Sequence, residues 1–263
     1  MPSPIPVAVH GAAGRMGQAV LRALDARPDL ELVAALVRPG GADAVRTRAA
    51  VAAPYCERLP ADTHAAVLID FSIAAAFDAA LALALARGLA FVSGTTGLDA
   101  GQRAALERAA GAVPVLWSAN FSLGVALLSR LAALAARALP DWDCEIAEIH
   151  HARKRDAPSG TALALGREVA AARGVDFDAV AKRSRDADDA PRASGEIGFA
   201  SLRAGDVVGE HTVLFATAGE RVELVHRATD RAVFARGAVA AAHWLAGREP
   251  GLYTLADLLG ARP

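Results

Sequence analysis

A short apolar run that stops at a glycine and is followed at once by an amphipathic helix leaves few folds open to this chain. Val7-Ala-Val9 reads as a strand, Gly11-Ala-Ala-Gly14-Arg-Met-Gly17 follows it, and Val20, Leu21 and Leu24 then recur on one helical face. Gly11 permits the tight turn, Gly14 lets backbone approach a pyrophosphate, and Gly17 lets the helix pack on the strand. Three spaced glycines alone are a weak sign of a ligand; their place between a strand and a helix makes this a candidate dinucleotide loop, formed by Gly11, Ala12, Ala13, Gly14, Arg15 and Met16.

The pattern continues as alternating strands and helices. Leu30 to Val37 is a second strand, and Val37 stands where many dinucleotide folds carry a carboxylate for the adenosine ribose. Arg38 follows, so a 2′-phosphate meets positive charge, which favours NADP(H) and leaves NAD(H) open. Pro39 to His64 reads as a loop or a short weak element. Order resumes with a strand at Val67 to Phe71, a helix at Ala74 to Ala86, a strand at Leu89 to Val92, a helix from Leu98 and a strand at Val113 to Trp117. Alternation of this kind builds a parallel sheet with ligands beyond the carboxyl ends of its strands. Gly94-Thr-Thr-Gly97 and Ser118-Ala119-Asn120-Phe121 lie at two such ends. Thr95, Thr96 and Asn120 offer hydrogen bonds to a nicotinamide amide or ribose, and Phe121 a wall for the pocket.

After a helix at Ser122 to Leu139, the densest chemistry of the chain falls in Glu145-Ile-Ala-Glu-Ile-His-His-Ala-Arg-Lys-Arg-Asp-Ala-Pro-Ser-Gly-Thr161. A strand ends near His150, Pro158 announces a new element, and Ser159 is the N-cap of a helix whose Ala162, Gly166, Val169 and Ala170 make a small-residue stripe. Ala162 cannot complete a capping box, so the N–H groups of Ser159, Gly160 and Thr161 are expected to be free for a carboxylate or phosphate. Arg153, Lys154 and Arg155 add positive charge. His150 and His151 supply a proton donor and a hydrogen bond near neutral pH, and Lys154 a second donor. Gly198 to Arg203, Asp206 to Ala216 and Arg221 to Val225 read as neighbouring strands, with Gly205-Asp206 suited to a hairpin turn. Ser184 to Ser194 reads as a flexible loop, and Arg231 to Trp244 as a helix from which the tail returns to the first domain.

Composition sets the remaining bounds. With 263 residues and 54% hydrophobic composition, one large or two ordinary domains can bury their cores. A formal charge of −1 argues against broad nucleic-acid binding. Cys56 and Cys144 form no Cys-x-x-Cys pair and no zinc set, which points to a reducing compartment and no bound metal. The opening residues lack the features of a secretory signal, and Arg130 and Arg137 interrupt the apolar Ser122 to Leu139 segment, which is therefore expected to pack in a core rather than span a membrane.

In order along the chain, Gly11-Ala-Ala-Gly-Arg-Met-Gly17, Gly94-Thr-Thr-Gly97, Ala119-Asn-Phe-Ser122, His150-His-Ala-Arg-Lys154, Asp156-Ala-Pro-Ser-Gly-Thr-Ala162 and Arg203-Ala-Gly-Asp-Val-Val-Gly-Glu-His-Thr212 resemble the dihydrodipicolinate reductase family. The resemblance implies an α/β protein: a Rossmann-like parallel-sheet dinucleotide-binding domain at 1–121 and 231–263, and an α+β, sheet-rich substrate and oligomerisation domain at 122–230. It implies cytoplasmic reduction of 4-hydroxy-tetrahydrodipicolinate by NADPH or NADH on the diaminopimelate route to lysine, and a homotetramer formed through the second domain's sheet. By matched position it implies His150 and Lys154 as catalytic and His151, Ser159, Gly160 and Thr161 as substrate contacts. Gly11 through Met16, Gly94 through Thr96 and Ser118 through Phe121 are then cofactor contacts. Two residues depart from the family's usual pattern: Val37 in place of a carboxylate, and Ser118 in place of an alanine. A different nicotinamide-dependent dehydrogenase and a non-catalytic NADP(H) sensor are the rival readings; neither calls for the His-His-x-x-Lys segment.

Overall fold

Val7, Ala8 and Val9 are fully buried, as a strand covered on both faces requires. They form the centre of β1 (Ile5–His10), from which the chain turns through Gly11 into α1 (Arg15–Asp25). Gly11 has φ +74°, and a Cβ there would sit 2.6 Å from the Phe71 carbonyl oxygen, so no other residue fits. A Cβ on Gly17 would meet the Gly11 carbonyl oxygen at 2.3 Å: the close approach is of α1 to the glycine loop rather than to the strand. The protein's structure is a computed structural model, which describes residues 3–47, 51–185 and 191–260.

The chain continues through β2 (Leu30–Leu36), α2 (Ala42–Arg46), β3 (Tyr55–Cys56), β4 (Val67–Asp70), α3 (Ala74–Arg87), β5 (Ala90–Ser93), α4 (Ala100–Ala109) and β6 (Pro114–Trp117). The blurred stretch after Pro39 thus holds a five-residue helix and a two-residue strand. There follow α5 (Leu123–Ala138), β7 (Asp143–His150), α6 (Gly160–Arg173), α7 (Phe177–Val180), β8 (Ala181–Lys182), β9 (Ile197–Arg203), β10 (Gly209–Thr217), β11 (Glu220–Ala228), α8 (Ala232–Leu245), β12 (Gly251–Tyr253) and α9 (Leu255–Leu258). None of the described helices is long and apolar enough to cross a membrane.

Two compact units result: residues up to Leu123 with those from Ala232 onward, and Gly124–Arg231. In the first, the described residues form a parallel sheet of seven strands in the order β12-β6-β5-β4-β1-β2-β3. Connections run one way from β1 and the other way from β4, so the strand order reverses between these two, and the crevice beyond their carboxyl ends is where such a sheet takes a ligand. His10 and Asp70, the last residues of β1 and β4, pair in register there. The C-terminal tail supplies α8, with Ala235, Ala238, Ala241, Ala242 and Leu245 buried, and the edge strand β12.

The second unit is a mixed sheet in the order β11-β10-β7-β9-β8. Here the hairpin expected at Gly205-Asp206 is corrected: β9 and β10 are not neighbours but flank β7, β9 parallel to it and β10 antiparallel. The tight hairpin joins β10 to β11, where Thr217 faces Glu220 across Ala218 and Gly219, the glycine at φ +88°. In the Ser184 to Ser194 loop the described residues form no helix or strand, and Arg185 and Arg192 both ion-pair with Glu145 of β7; residues 186–190 lie outside the described ones.

On β7 alternate residues Cys144, Ile146, Glu148 and His150 are buried, the first two in a core with Leu128 and Ala132 of α5, Leu165 and Val169 of α6, and Val213 and Phe215 of β10. The small-residue stripe on α6 has its reason in this core: a Cβ on Gly166 would lie 2.6 Å from the Phe199 ring and 2.9 Å from that of Phe177. Period-two alternation therefore carries a carboxylate and an imidazole onto a face that is otherwise apolar.

Candidate active site

At the end of β7 the buried Glu148 carboxylate gathers four donors. Its Oε2 accepts from His150 Nδ1 at 2.5 Å and Arg203 Nη1 at 2.9 Å; its Oε1 accepts from Arg203 Nη2 at 2.9 Å and the Ser159 N–H at 3.2 Å. Burial by itself would raise the Glu148 pKa, but the Arg203 guanidinium, with His150 and Ser201, holds it below the usual carboxylate range. Arg203 also donates to the Asp156 carbonyl, tying the strand end to the loop that leads into α6.

The N-terminus of α6 is less free than its sequence suggests. Ser159 is the N-cap, its Oγ accepting from the Ala162 N–H at 3.1 Å and lying 3.2 Å from His211 Nε2. Its own N–H belongs to Glu148, so the expectation that Ser159 offers a free amide to an external anion is corrected. A buried cap in contact with a buried carboxylate has no group left to offer. Gly160 and Thr161 are the residues of the helix start nearer to solvent, and a Cβ on Gly160 would meet nothing within 4 Å, which leaves a ligand room to approach.

Three further side chains stand around this point. Lys154 Nζ is 2.9 Å from the Asp156 carboxylate, and that contact, ahead of any burial, lowers the Asp156 pKa. His151 is half-buried; desolvation, then Arg231, Arg153, His150 and Lys154, lower its pKa, and among the described residues its buried Nδ1 meets no hydrogen-bond partner. His211 packs edge-on to His150, ring centroids 5.2 Å apart, and burial pushes its pKa down to about 4, so it is neutral at pH 7.

In the first unit, the start of α1 has the chemistry of a phosphate cradle. Gly14 caps it without any side-chain hydrogen bond, no acidic residue stands in its first turn, and the N–H groups of Arg15 and Met16 have no partner within the helix by α-helical geometry. A Cβ on Gly14 would crowd only the Gly11 carbonyl oxygen, at 3.3 Å. These residues fit a dinucleotide pyrophosphate. Ala12 does not contribute an amide, because its N–H is donated to the Leu36 carbonyl. Arg38 is exposed just past β2, in the turn where the Gly40 N–H donates to Glu57.

Two other expectations for this unit change. Thr95 is buried and its hydroxyl donates to Asp70 Oδ2 at 2.7 Å, so its side chain is committed to the loop; the Thr96 side chain is exposed. Phe121 is buried too, stacked at a tilt on Phe71 with centroids 5.5 Å apart, and its carbonyl oxygen fills the space a Cβ on Gly237 would need. Its ring is therefore covered by the protein itself and is not open as a pocket wall. Ser118 Oγ accepts from the Asn120 N–H and donates to the Asn120 carbonyl, and Asn120 Oδ1 accepts from the Ser122 N–H, so this turn is held by its own side chains; Ala119 is exposed at its tip.

Comparison with known proteins decides the family. Residues 5–121 match the family model for the N-terminus of dihydrodipicolinate reductase, and residues 124–259 match that for its C-terminus. The chain belongs to the dihydrodipicolinate reductase family. It is 49% identical to the 4-hydroxy-tetrahydrodipicolinate reductase of Stenotrophomonas maltophilia over 258 residues, which cover 98% of each chain. It is 46% identical to that of Pseudomonas fluorescens over 265 residues, covering 97% of this chain and 99% of the other. A solved dipicolinate-bound dihydrodipicolinate reductase from Paenisporosarcina shares the fold, with TM-score 0.74 at 24% identity over 95% of this chain and 97% of the other.

Glu148, Arg203 and Asp70 are not among the residues that the sequence by itself singles out for the site. For Glu148 a signal was present: the alternation that places Ile146 in the core places a charged residue there too, and a buried carboxylate needs a cation. Arg203 sits 55 residues further on, and only the parallel pairing of β9 with β7 brings it across.

Proposed function

We propose that this protein is an NAD(P)H-dependent oxidoreductase that reduces 4-hydroxy-tetrahydrodipicolinate to tetrahydrodipicolinate, in the cytoplasm, on the diaminopimelate route of lysine biosynthesis. The observation that carries the reading is the His150–Glu148–Arg203 cluster at the foot of α6, with Lys154 beside it: a proton donor, a fixed counter-charge and a cation where a cyclic dicarboxylate would sit. The full-length likeness to reductases of that name supports the substrate.

A reduced nicotinamide dinucleotide, its pyrophosphate held at the start of α1 by Gly14, Arg15 and Met16, would supply a hydride. The second unit's residues do the rest. Gly160 and Thr161 at the helix start, with His151, orient a carboxylate of the ring. His150 or Lys154 gives the proton: His150 through the nitrogen not bound to Glu148, Lys154 from an Nζ whose present partner, Asp156, is exposed and replaceable by substrate. Neutral His211 serves as a hydrogen-bonding neighbour and adds no competing charge. Exposed Arg38 and the lack of a carboxylate at Val37 favour NADPH over NADH. Leu202 and Val225, exposed on the face of the second sheet away from its helices, support assembly into a homotetramer through that sheet.

The test is absorbance at the reduced nicotinamide band, using purified protein, enzymatically generated substrate, and NADPH and NADH in parallel. Substrate-dependent oxidation is expected, faster with NADPH. Cofactor binding without turnover, beside an active control enzyme, would replace this reading with the sensor.

A further inference from the structure

We propose that Glu148 and Gly209 are positioning residues for His150, Glu148 holding a proton on Nδ1 and Gly209 keeping room at Nε2 for the group that exchanges the working proton. The inference rests on the reading of His150 as a proton-transfer residue. It begins from a carboxylate whose surroundings are all donors. The Arg203 guanidinium faces both Glu148 oxygens and the Ser159 N–H faces one, so the carboxylate enters its contact with His150 as an acceptor. Burial raises its pKa, but the Arg203 guanidinium, ahead of His150 and Ser201, holds it below the ordinary carboxylate value. The 2.5 Å contact therefore places the hydrogen on Nδ1 whether the ring is neutral or charged, and the neutral form protonated only on Nε2 is excluded. Nε2 is left as the atom that gives or takes a proton.

The other side of the ring is shaped by an absence. Gly209 begins β10, beside the end of β7, and its φ lies outside the range that calls for glycine. What a Cβ at 209 would meet is the His150 ring and nothing nearer: Nε2 at 3.0 Å, Cδ2 at 3.4 Å and Cε1 at 3.8 Å. The backbone does not ask for glycine here; the imidazole does. The ring is also in edge contact with His211, the two centroids 5.2 Å apart. One edge of the ring is thus locked by a charged acceptor, the His211 ring packs against it, and a Cβ at position 209 would crowd the reactive nitrogen.

Glu148→Gln keeps the shape of the side chain but cannot satisfy both Arg203 and His150 as an acceptor, whereas Gly209→Ala leaves Glu148 untouched and adds a methyl group at Nε2. Turnover and KM would be measured for both, for His150→Gln and for the Glu148→Gln/His150→Gln double variant, with nitrogen-15 imidazole spectra of each folded protein. Glu148→Gln is expected to lower kcat about 10- to 100-fold with KM within about threefold, as loss of one charge-assisted hydrogen bond to a proton-transfer residue should. The double variant is expected to be no slower than His150→Gln alone, because Glu148 acts through the ring. Gly209→Ala is expected to lower kcat while retaining the downfield Nδ1–H signal, which Glu148→Gln loses. Multiplying losses in the double variant, or wild-type kcat in folded Glu148→Gln, would overturn the role of Glu148; wild-type kcat in Gly209→Ala would overturn that of Gly209. Full activity in His150→Gln is a separate result, and it would remove the reading of His150 on which the proposal stands. Should Glu148→Gln not fold, the wild-type tautomer and Gly209→Ala decide: an Nε2-only neutral ring overturns the proposal.

Discussion

Replacing Asp70 should cost the first unit both stability and its grip on the cofactor. This fully buried carboxylate ends β4 at the point where strand order reverses, and four donors converge on it. His10 Nδ1 lies 2.9 Å from Oδ1 and the Ser72 N–H 3.2 Å; Ser93 Oγ lies 2.9 Å from Oδ2 and Thr95 Oγ1 2.7 Å. The four donors come from the ends of β1, β4 and β5, so a single side chain ties three ligand-facing loops together. Asp70→Asn keeps two acceptor contacts at Oδ1, and the two hydroxyls can rotate to accept from the new amide, so the geometry survives while every bond loses its ionic partner. At about 1 kcal/mol lost per bond, offset by the relief of burying no charge, the expected destabilisation is about 2–3 kcal/mol. Asp70→Ala leaves the donors without acceptors and should cost about 3–5 kcal/mol. Urea unfolding followed by the fluorescence of Trp117, whose Nε1–H donates to the Thr95 carbonyl, reads this unit directly in a Trp142→Phe/Trp244→Phe background. The pH dependence has a definite sign. Burial would raise the Asp70 pKa, but hydrogen bonds from His10, Ser72 and Thr95 lower it below the ordinary value. A depressed native pKa gives stability that is complete above the unfolded value of about 4 and is lost as pH falls toward the native one. The gap between wild type and Asp70→Asn should therefore shrink below about pH 4. An Asp70→Ala protein as stable as wild type, or a gap that widens toward acid, would refute the reasoning.

Other substitutions separate cofactor from substrate functions. Lys154→Ala should sharply lower turnover with NADPH affinity nearly intact; unchanged turnover in a steady-state assay would remove Lys154 from the mechanism. Arg38→Ala should weaken NADPH binding about tenfold and NADH binding little, as measured by titration of nicotinamide fluorescence, and equal losses would mean that Arg38 does not read the 2′-phosphate. Gly17→Ala puts a methyl group 2.3 Å from the Gly11 carbonyl oxygen, so it should reshape the glycine loop and weaken both cofactors alike, while binding of a pyridine dicarboxylate to the second unit is retained.

The first unit was legible because its information is local. Most of its strands are short apolar runs closed by a loop signal, so β1, β2, β4, β5 and β6 with the helices between them could be placed from periodicity, whereas α2 and β3 after Pro39 and β12 and α9 in the tail carry too little pattern to be seen. What local pattern could not show was which loop residues turn inward. Thr95 and Thr96 are adjacent and chemically identical, and only the buried Asp70, 25 residues away, distinguishes them. The second sheet was less legible for a related reason. Its strands were recognisable, but sequence neighbours β9 and β10 are separated in space by β7, and nothing in the Gly205-Asp206 turn reports that. The same non-local pairing hid the site: His150, Lys154 and Ser159 lie within one short segment, whereas the arginine that fixes their geometry arrives with β9.

The first sheet is closed by residues from the far end of the chain, and this orders events during synthesis. Strands β1 to β6 leave the ribosome early, but α8, which lays a row of buried alanines and Leu245 in the core, and β12, which covers the edge of β6, follow only after the whole second unit. That second unit, contiguous from Gly124 to Arg231, can complete its own core while the first still waits. The nascent chain therefore carries an uncovered apolar flank while the whole stretch from Gly124 to Arg231 is made, and a ribosome stalled near Arg231 would hold a finished second unit on the same chain as an unfinished first one. Chaperone capture and protease sensitivity of such an arrested chain should map to the part that was made first.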